Sequence, residues 1–176
     1  GPVLGLIRAE NLDHAIHIAN ATPYGLTSGI HTLDKREQKK WQHLIIAGNC
    51  YINRTITGAI VRRQPFGGCK NSSYGHGSKA GGPNYLTQFM HAKQIDIPKE
   101  KFPAGDFVNN LTRFLEKFDL SAEDLGFWYA SVSSYAFFWQ QFKRDKDRSK
   151  IVGEDNLFRY IPHKKLVLRL TPEDAP

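Results

Sequence analysis

The sequence predicts an α/β fold, a β-α-β-α-β run followed by a mainly helical C-terminal region. Three observations carry this. Short strand-type runs at 3–9, 26–32 and 49–53 alternate with segments whose apolar residues recur at helical spacing. "PKEKFPAG" (98–105) combines two prolines, a glycine and charges, the mark of a linker. Beyond it the composition turns aromatic and helix-spaced.

"VLGLIRA" (3–9) reads as the first strand. In "NLDHAIHIAN" (11–20) Asn11 can cap a helix whose apolar face is Leu12, Ala15, Ile16 and Ala19. "TPYGLTSGIHTL" opens on turn residues and continues as a strand over about 26–32. Asp34, with Glu37 three residues on, resembles a capping box. It starts a second helix with Trp41, Leu44 and Ile45 on its apolar face, and Gly48 stops it. "NCYIN" (49–53) reads as a buried strand. "YLTQFMHAKQIDI" (85–97) reads as extended.

After the linker, 106–119 places Phe107, Leu111, Phe114, Leu115 and Phe118 on one stripe behind an Asp106 cap. The run 121–142 starts at Ser121 and repeats Leu125, Trp128, Val132, Tyr135, Trp139 and Phe142 at steps of three and four. Such a stripe is expected to be core, with an interface as the second reading, because aromatic rings dominate buried area. "KLVLRL" (165–170) reads as a late strand. The expected organisation is therefore 1–97, a linker at 98–105, and 106–176 as a helical extension ending in a strand.

The chain has 176 residues and a net charge of +7. The basic runs at 34–43, 142–150 and 163–165 lie far apart, and two of them are interleaved with acids, which is how solvated surfaces read. With no nucleic-acid motif, DNA or RNA is not the expected partner. No apolar stretch is long enough to span a bilayer. Cys50 and Cys69 make neither a disulfide framework nor a zinc site, which fits a reducing, cytoplasmic setting; no metal is expected. The first residues, Gly1-Pro2-Val3, and the closing "LRLTPEDAP" read as the ends of a piece of something longer.

The stretch "FGGCKNSSYGHGSKAGGPNYL" (66–86) holds six of the chain's 15 glycines. It has no GxGxxG leading into an apolar helix and no GxxxxGK[ST], so a phosphate cradle is disfavoured. Gly67-Gly68 and Gly81-Gly82-Pro83 read as sharp turns or close backbone approaches. Upstream, Thr57, Gly58 and Ala59 put small residues at the end of a strand. Two backbone N–H groups there can face one anion, with Phe66 as an apolar wall. The alternative is an ordinary turn.

"GPVLGLIRAENLDHAIHIANATPYGLTSGIHTLD" resembles the C-terminal part of the aldehyde dehydrogenase catalytic domain. "GNCYINRTITGAIVRRQPFGG" together with "SKAGGPNYL" is similar to L-glutamate γ-semialdehyde dehydrogenases (1-pyrroline-5-carboxylate dehydrogenases) of the proline utilisation A type. The likeness covers about residues 1–97. The run from Ser134 to Leu170 resembles the region that follows in longer forms of proline utilisation A.

The resemblance implies a partial aldehyde dehydrogenase sheet and oxidation of glutamate γ-semialdehyde to glutamate with NAD⁺. A cysteine thiolate attacks the aldehyde in that family. It implies that the loop 57–61 anchors the substrate's α-carboxylate. Gly58 and Ala59 would supply the N–H groups, and Phe66 would pack on the methylene chain. It implies that 85–97 pairs with a neighbouring subunit in a homo-oligomer. The family's catalytic cysteine, general-base glutamate and dinucleotide-binding half lie upstream of the matched region, so no catalytic or NAD-binding residue is expected here, and the chain alone is expected to be inactive. Cys50 has no adjacent base, and Cys69 matches a non-catalytic position. Arg62 and Arg63 depart from the family's small or apolar residues; they either face solvent, the favoured reading because arginine is rarely buried unpaired, or assist an anionic substrate. The reading from another class is a non-enzymatic oligomerisation or interaction module for an acidic partner.

Overall fold

The computed structural model describes residues 2–60, 63–74, 78–93, 102–163, 165–169 and 171. They fall into two units. The first comprises Gly1–Ala92 with Arg148–Asn156, the second Lys93–Asp147 with Leu157–Pro176.

In the first unit, α1 (Leu12–Ala21) begins where the Asn11 side chain accepts the His14 N–H at 3.0 Å, as expected. It ends at Thr22, which is extended because Pro23 follows. β1 (Tyr24–Gly25) and β2 (Thr27–Ile30) come next. α2 (Lys35–Leu44) is capped by Asp34, whose carboxylate accepts the Arg36 N–H at 2.8 Å. The reciprocal half of the capping box differs from expectation. Glu37 accepts from the Thr32 hydroxyl, and that hydroxyl accepts the Asp34 N–H, so Thr32 relays what Glu37 was expected to reach directly.

β3 (Asn49–Ile52) runs parallel to β2, with Thr27 opposite Asn49 and Ile30 opposite Ile52. A parallel pair needs a crossover, and α2 provides it. β4 (Cys69–Lys70) pairs antiparallel with β1. The core is small. Ile16 at 5% exposure, Trp41 at 4% and Ile45 pack together, with Leu12, Ile30, Ala47 and Ile52 against them.

Several expectations need correction. Residues 3–9 form no strand, and Val3, Leu4, Leu6 and Ile7 are exposed. A strand is held by a partner's backbone, and none among the described residues pairs with this segment. β3 is buried on one face only: Asn49 and Tyr51 point in, Cys50 points out. Strand side chains alternate, so the apolar look of "NCYI" concealed a half-exposed ribbon. The segment expected to be extended from 85 contains a 3₁₀ turn at Leu86–Phe89. Residues 94–97 of it, and 98–101 of the expected linker, lie outside the described residues.

In the second unit, α3 (Asp106–Leu115) is preceded by Gly105 as N-cap, with no side-chain cap bond; Asp106 is the first helical residue. Its apolar stripe is largely exposed at Phe107, Phe114 and Phe118. α4 (Ala122–Phe142) starts as expected, with the Ser121 hydroxyl accepting the Asp124 N–H at 3.1 Å. Trp128 Nε1 donates to the Thr112 hydroxyl at 2.9 Å and joins α4 to α3. Tyr129 donates to Glu116, and that bond pushes the Tyr129 phenol up.

The stripe on α4 drifts from the expected line. Steps of three and four from Leu125 to Phe142 average less than the 3.6 residues of a helical turn. The less exposed face therefore passes from Leu125, Trp128 and Val132 to Ser133, Ala136 and Phe137, and Tyr135 is left 75% exposed. β5 (Lys146–Asp147) pairs antiparallel with β6 (Leu157–Phe158). The described residues of 165–170 are assigned no strand.

Candidate functional site

The loop after β3 is built from its two ends. At the first end the chain leaves the sheet at Asn53 with φ +56, a left-handed conformation that asparagine tolerates. Three bonds hold it there. Asn53 N–H donates to Ile30 O at 2.9 Å, Thr32 N–H to Asn53 Oδ1 at 2.9 Å, and Asn53 Nδ2 to Thr32 O at 3.0 Å. Arg54 follows, with its guanidinium 5.5 Å from the centre of the Tyr51 ring. At the second end, Arg63 N–H and Gln64 N–H both reach Ile60 O at 2.8 Å and close a turn.

Between these ends Gly58 has φ +78 and a Cβ there would meet nothing within 4 Å. Glycine is therefore required by the backbone angle and not by crowding. Among the described residues, no acceptor meets the N–H of Gly58 or of Ala59. Gly58 is exposed and Ala59 half-buried. Val61 and Arg62 lie outside the described residues; Arg63 is exposed.

Phe66 is half-buried and sits on a two-bond bridge to Ala80: its N–H reaches Ala80 O at 3.0 Å, and the return bond is 3.1 Å. Asn49, buried in β3, fixes the backbone on both sides of it. Its Nδ2 donates to Pro65 O at 3.2 Å, and its Oδ1 accepts the Gly67 N–H at 3.1 Å. The Lys79 ammonium donates to Gly48 O and, at 3.4 Å, to the same Asn49 Oδ1. Burial pushes the Lys79 ammonium down from the ordinary lysine range.

The glycines here answer to close approach. A Cβ on Gly48 would lie 1.9 Å from Gly67 O, so two backbone segments meet where no side chain fits. The stretch does not open an α-helix; it leads to the four-residue 3₁₀ turn.

Two buried oxygens nearby, Tyr51 Oη and Gln64 Oε1, meet no partner among the described residues, and burial pushes the Tyr51 phenol up. A cleft of about 350 Å³ opens elsewhere in this unit, lined by Thr22, Tyr24, Leu26, Ser28, Ile46 and Ser72 among others. None of Gly58, Ala59 and Phe66 lines it.

Cys50 Sγ lies 3.5 Å from Ala47 O, and Cys69 Sγ lies 3.4 Å from Gly25 O. Among the described residues no cluster of histidine, cysteine or carboxylate side chains could hold a metal, and no helix is long and apolar enough to cross a membrane.

The expected site residues are thus distributed along one loop and the hairpin after it. Asn49, Asn53, Arg54, Gln64 and Lys79, which hold that arrangement, were not picked out from the sequence. A polar residue inside a strand of apolar appearance, Asn49, was the one local signal.

The chain belongs to the aldehyde dehydrogenase family, which residues 1–95 match. It is 47% identical over 95 residues to a 1-pyrroline-5-carboxylate dehydrogenase of Geobacillus thermodenitrificans, covering 54% of this chain and 18% of that protein. It is 48% identical over 93 residues to one of Bacillus cereus, covering 53% of this chain and 18% of that protein. In structure it is similar to proline utilization A from Corynebacterium freiburgense, with a TM-score of 0.76 and 42% identity. That likeness covers 93% of this chain and 16% of the larger one, so it takes in the helical unit as well. The chain spans 18% of the length of the curated relatives it matches.

Proposed function

We propose that this chain is the substrate-anchoring part of an NAD-dependent enzyme that oxidises L-glutamate γ-semialdehyde to glutamate in proline catabolism. The observation that carries the reading is at Gly58 and Ala59. A left-handed glycine and two N–H groups without an acceptor among the described residues lie inside the region that is 47% identical to 1-pyrroline-5-carboxylate dehydrogenases. Two such N–H groups suit a carboxylate, which accepts charge-assisted bonds without needing a side-chain cation. Phe66, held from both flanks, suits the substrate's methylene chain.

Among the described residues, the arrangement does not fit NAD. The parallel unit β2-α2-β3 is where a pyrophosphate would seek a helix N-terminus, but the Asp34 carboxylate already occupies that of α2. Its negative charge would repel a phosphate. The cofactor is therefore assigned to another part of the enzyme, and so is the nucleophile. The 176-residue chain alone should reduce no NAD⁺.

Residues 1–97 act in this reading as catalytic-domain substructure and 106–176 as an extension. The exposed Leu86, Phe89 and Met90 support the reading that the 85–97 segment meets a second copy in a cytoplasmic homo-oligomer. The test is a crystal structure of the enzyme that contains this chain, with glutamate bound. The α-carboxylate is expected within hydrogen-bond distance of the Gly58 and Ala59 N–H groups. A carboxylate held by other residues overturns the reading.

A further inference from the structure

The stretch Arg148–Asn156 comes late in the chain, yet it belongs to the α/β unit. It is shaped to do so. Lys150 has φ +49 and Gly153 φ +79, and Glu154 N–H closes a turn on Ile151 O at 3.2 Å. Two of its side chains reach the loop described above, one at each end. Glu154 Oε1 pairs with Arg54 Nη1 at 3.2 Å. Asn156 Oδ1 accepts from Gln64 Nε2 at 2.9 Å.

These two contacts are one network. Asn156 Nδ2 donates to the same Glu154 Oε1 at 3.0 Å, and to the Ser149 hydroxyl at 3.0 Å. A continuous path Arg54–Glu154–Asn156–Gln64 therefore spans the gap between the start and the finish of residues 55–63. Asn156 is 8% exposed, so its amide is committed to these partners and not to water. The Arg54 pair alone, about a third exposed on each side, would contribute little. Its significance is geometric, since it fixes the residue after Asn53, where the loop begins.

A loop anchored at both ends has fewer conformations to lose when its backbone N–H groups close on a ligand. Gly58, with open space around it and a left-handed φ, is the part of the loop with the most freedom to lose.

We propose that residues 148–156 brace the loop after β3 at its two ends, Arg54 and Gln64, and that Glu154 and Asn156 are positioning residues for binding of the substrate's α-carboxylate. The proposal rests on the reading of Gly58 and Ala59 as the carboxylate anchor. It makes affinity for a carboxylate-bearing aldehyde depend on a segment about 90 residues away in sequence, beyond the region that matches the family.

The experiment has two arms. In the enzyme that contains this chain, Glu154→Ala and Asn156→Ala should each raise KM for glutamate γ-semialdehyde by about three- to ten-fold. KM for a simple aldehyde without a carboxylate should stay unchanged. Glu154→Gln keeps an oxygen for both donors and should restore most of the loss. In the isolated chain, amide hydrogen exchange in 55–64 should accelerate in both alanine variants while β2 and β3 keep their protection. Equal KM losses for the two aldehydes, or exchange in 55–64 that does not change, would overturn the brace. If Gly58→Val also costs the two substrates equally, the anchor reading itself falls. The brace is then judged by exchange: acceleration confined to 55–64 supports it, and none overturns it.

Discussion

In the α/β unit Ile16, Trp41 and Ile45 are buried together; in the helical unit the one buried residue among those described is Ser133, which accepts the Phe102 N–H at 2.6 Å. The first unit closes a small apolar core of its own and uses side-chain amides, Asn49 and Asn53, to fix the chain where it leaves that core. The second relies on helix caps and on aromatic pairs such as Phe102–Phe137 at 4.7 Å and Phe142–Tyr160 at 4.5 Å, with most of its large side chains half-exposed. It keeps its secondary structure with little burial, and its aromatic residues remain available for contact.

Removing one aromatic ring from each unit separates the two modes of packing. Trp41→Ala, at a site 4% exposed, should destabilise the α/β unit by about 3–5 kcal/mol in a denaturant melt. Tyr135→Ala, on the exposed side of α4, should change stability by no more than about 0.5 kcal/mol. Comparable losses would mean that the aromatic stripe of α4 is core after all.

A second test addresses the glycine-lined approach. Gly48→Ala puts a Cβ where Gly67 O already is, and should cost about 1–3 kcal/mol as the hairpin shifts. Gly5→Ala, whose Cβ meets nothing within 4 Å, is the control and should leave the melt unchanged. Equal loss in both variants would contradict the close approach as the cause, because alanine in place of glycine restricts the unfolded chain and by itself stabilises.

The smallest effect is a pH dependence. The hydrogen bond from the Arg36 side chain, then its backbone N–H, lowers the Asp34 carboxyl from 3.8 to about 2. A carboxyl depressed in the folded state stabilises above its ordinary range, and that contribution is lost as pH falls from about 4 toward 2. Asp34→Asn keeps a cap on α2 but should flatten this part of the acid titration of helicity. An unchanged titration would show that other carboxyls govern it.

The helix starts at Asn11, Asp34 and Ser121 were legible because a cap is a local event, written within four residues of the helix it opens. The strand at 27–30 was legible from its alternation of β-branched and small residues, and the one at 49–52 from an apolar look that hid its exposed face. The run 3–9 was misread because strand type does not supply a partner. The stripe of α4 was misread because a pattern stepping by threes and fours runs ahead of a 3.6-residue turn. Gly58, Ala59 and Phe66 were found through family resemblance, and the structure adds the left-handed φ of Gly58. The contacts of Arg54 with Glu154 and of Gln64 with Asn156 had no sequence signal, since a hydrogen bond between distant segments leaves no periodicity behind.

If Gly58 and Ala59 hold the substrate's carboxylate, kcat/KM of Gly58→Val in the enzyme that contains this chain reports it. Space around Gly58 is open, so valine acts on the backbone angle, which a β-branched residue does not tolerate at φ +78, and not by collision with the core. With glutamate γ-semialdehyde, loss of charge-assisted bonds worth about 1.5–3 kcal/mol should lower kcat/KM by at least about ten-fold. A simple aldehyde has no carboxylate to lose, and its kcat/KM should stay within about two-fold of wild type. Equal losses for the two substrates would show that residues 57–61 are a structural turn and that the carboxylate is held elsewhere.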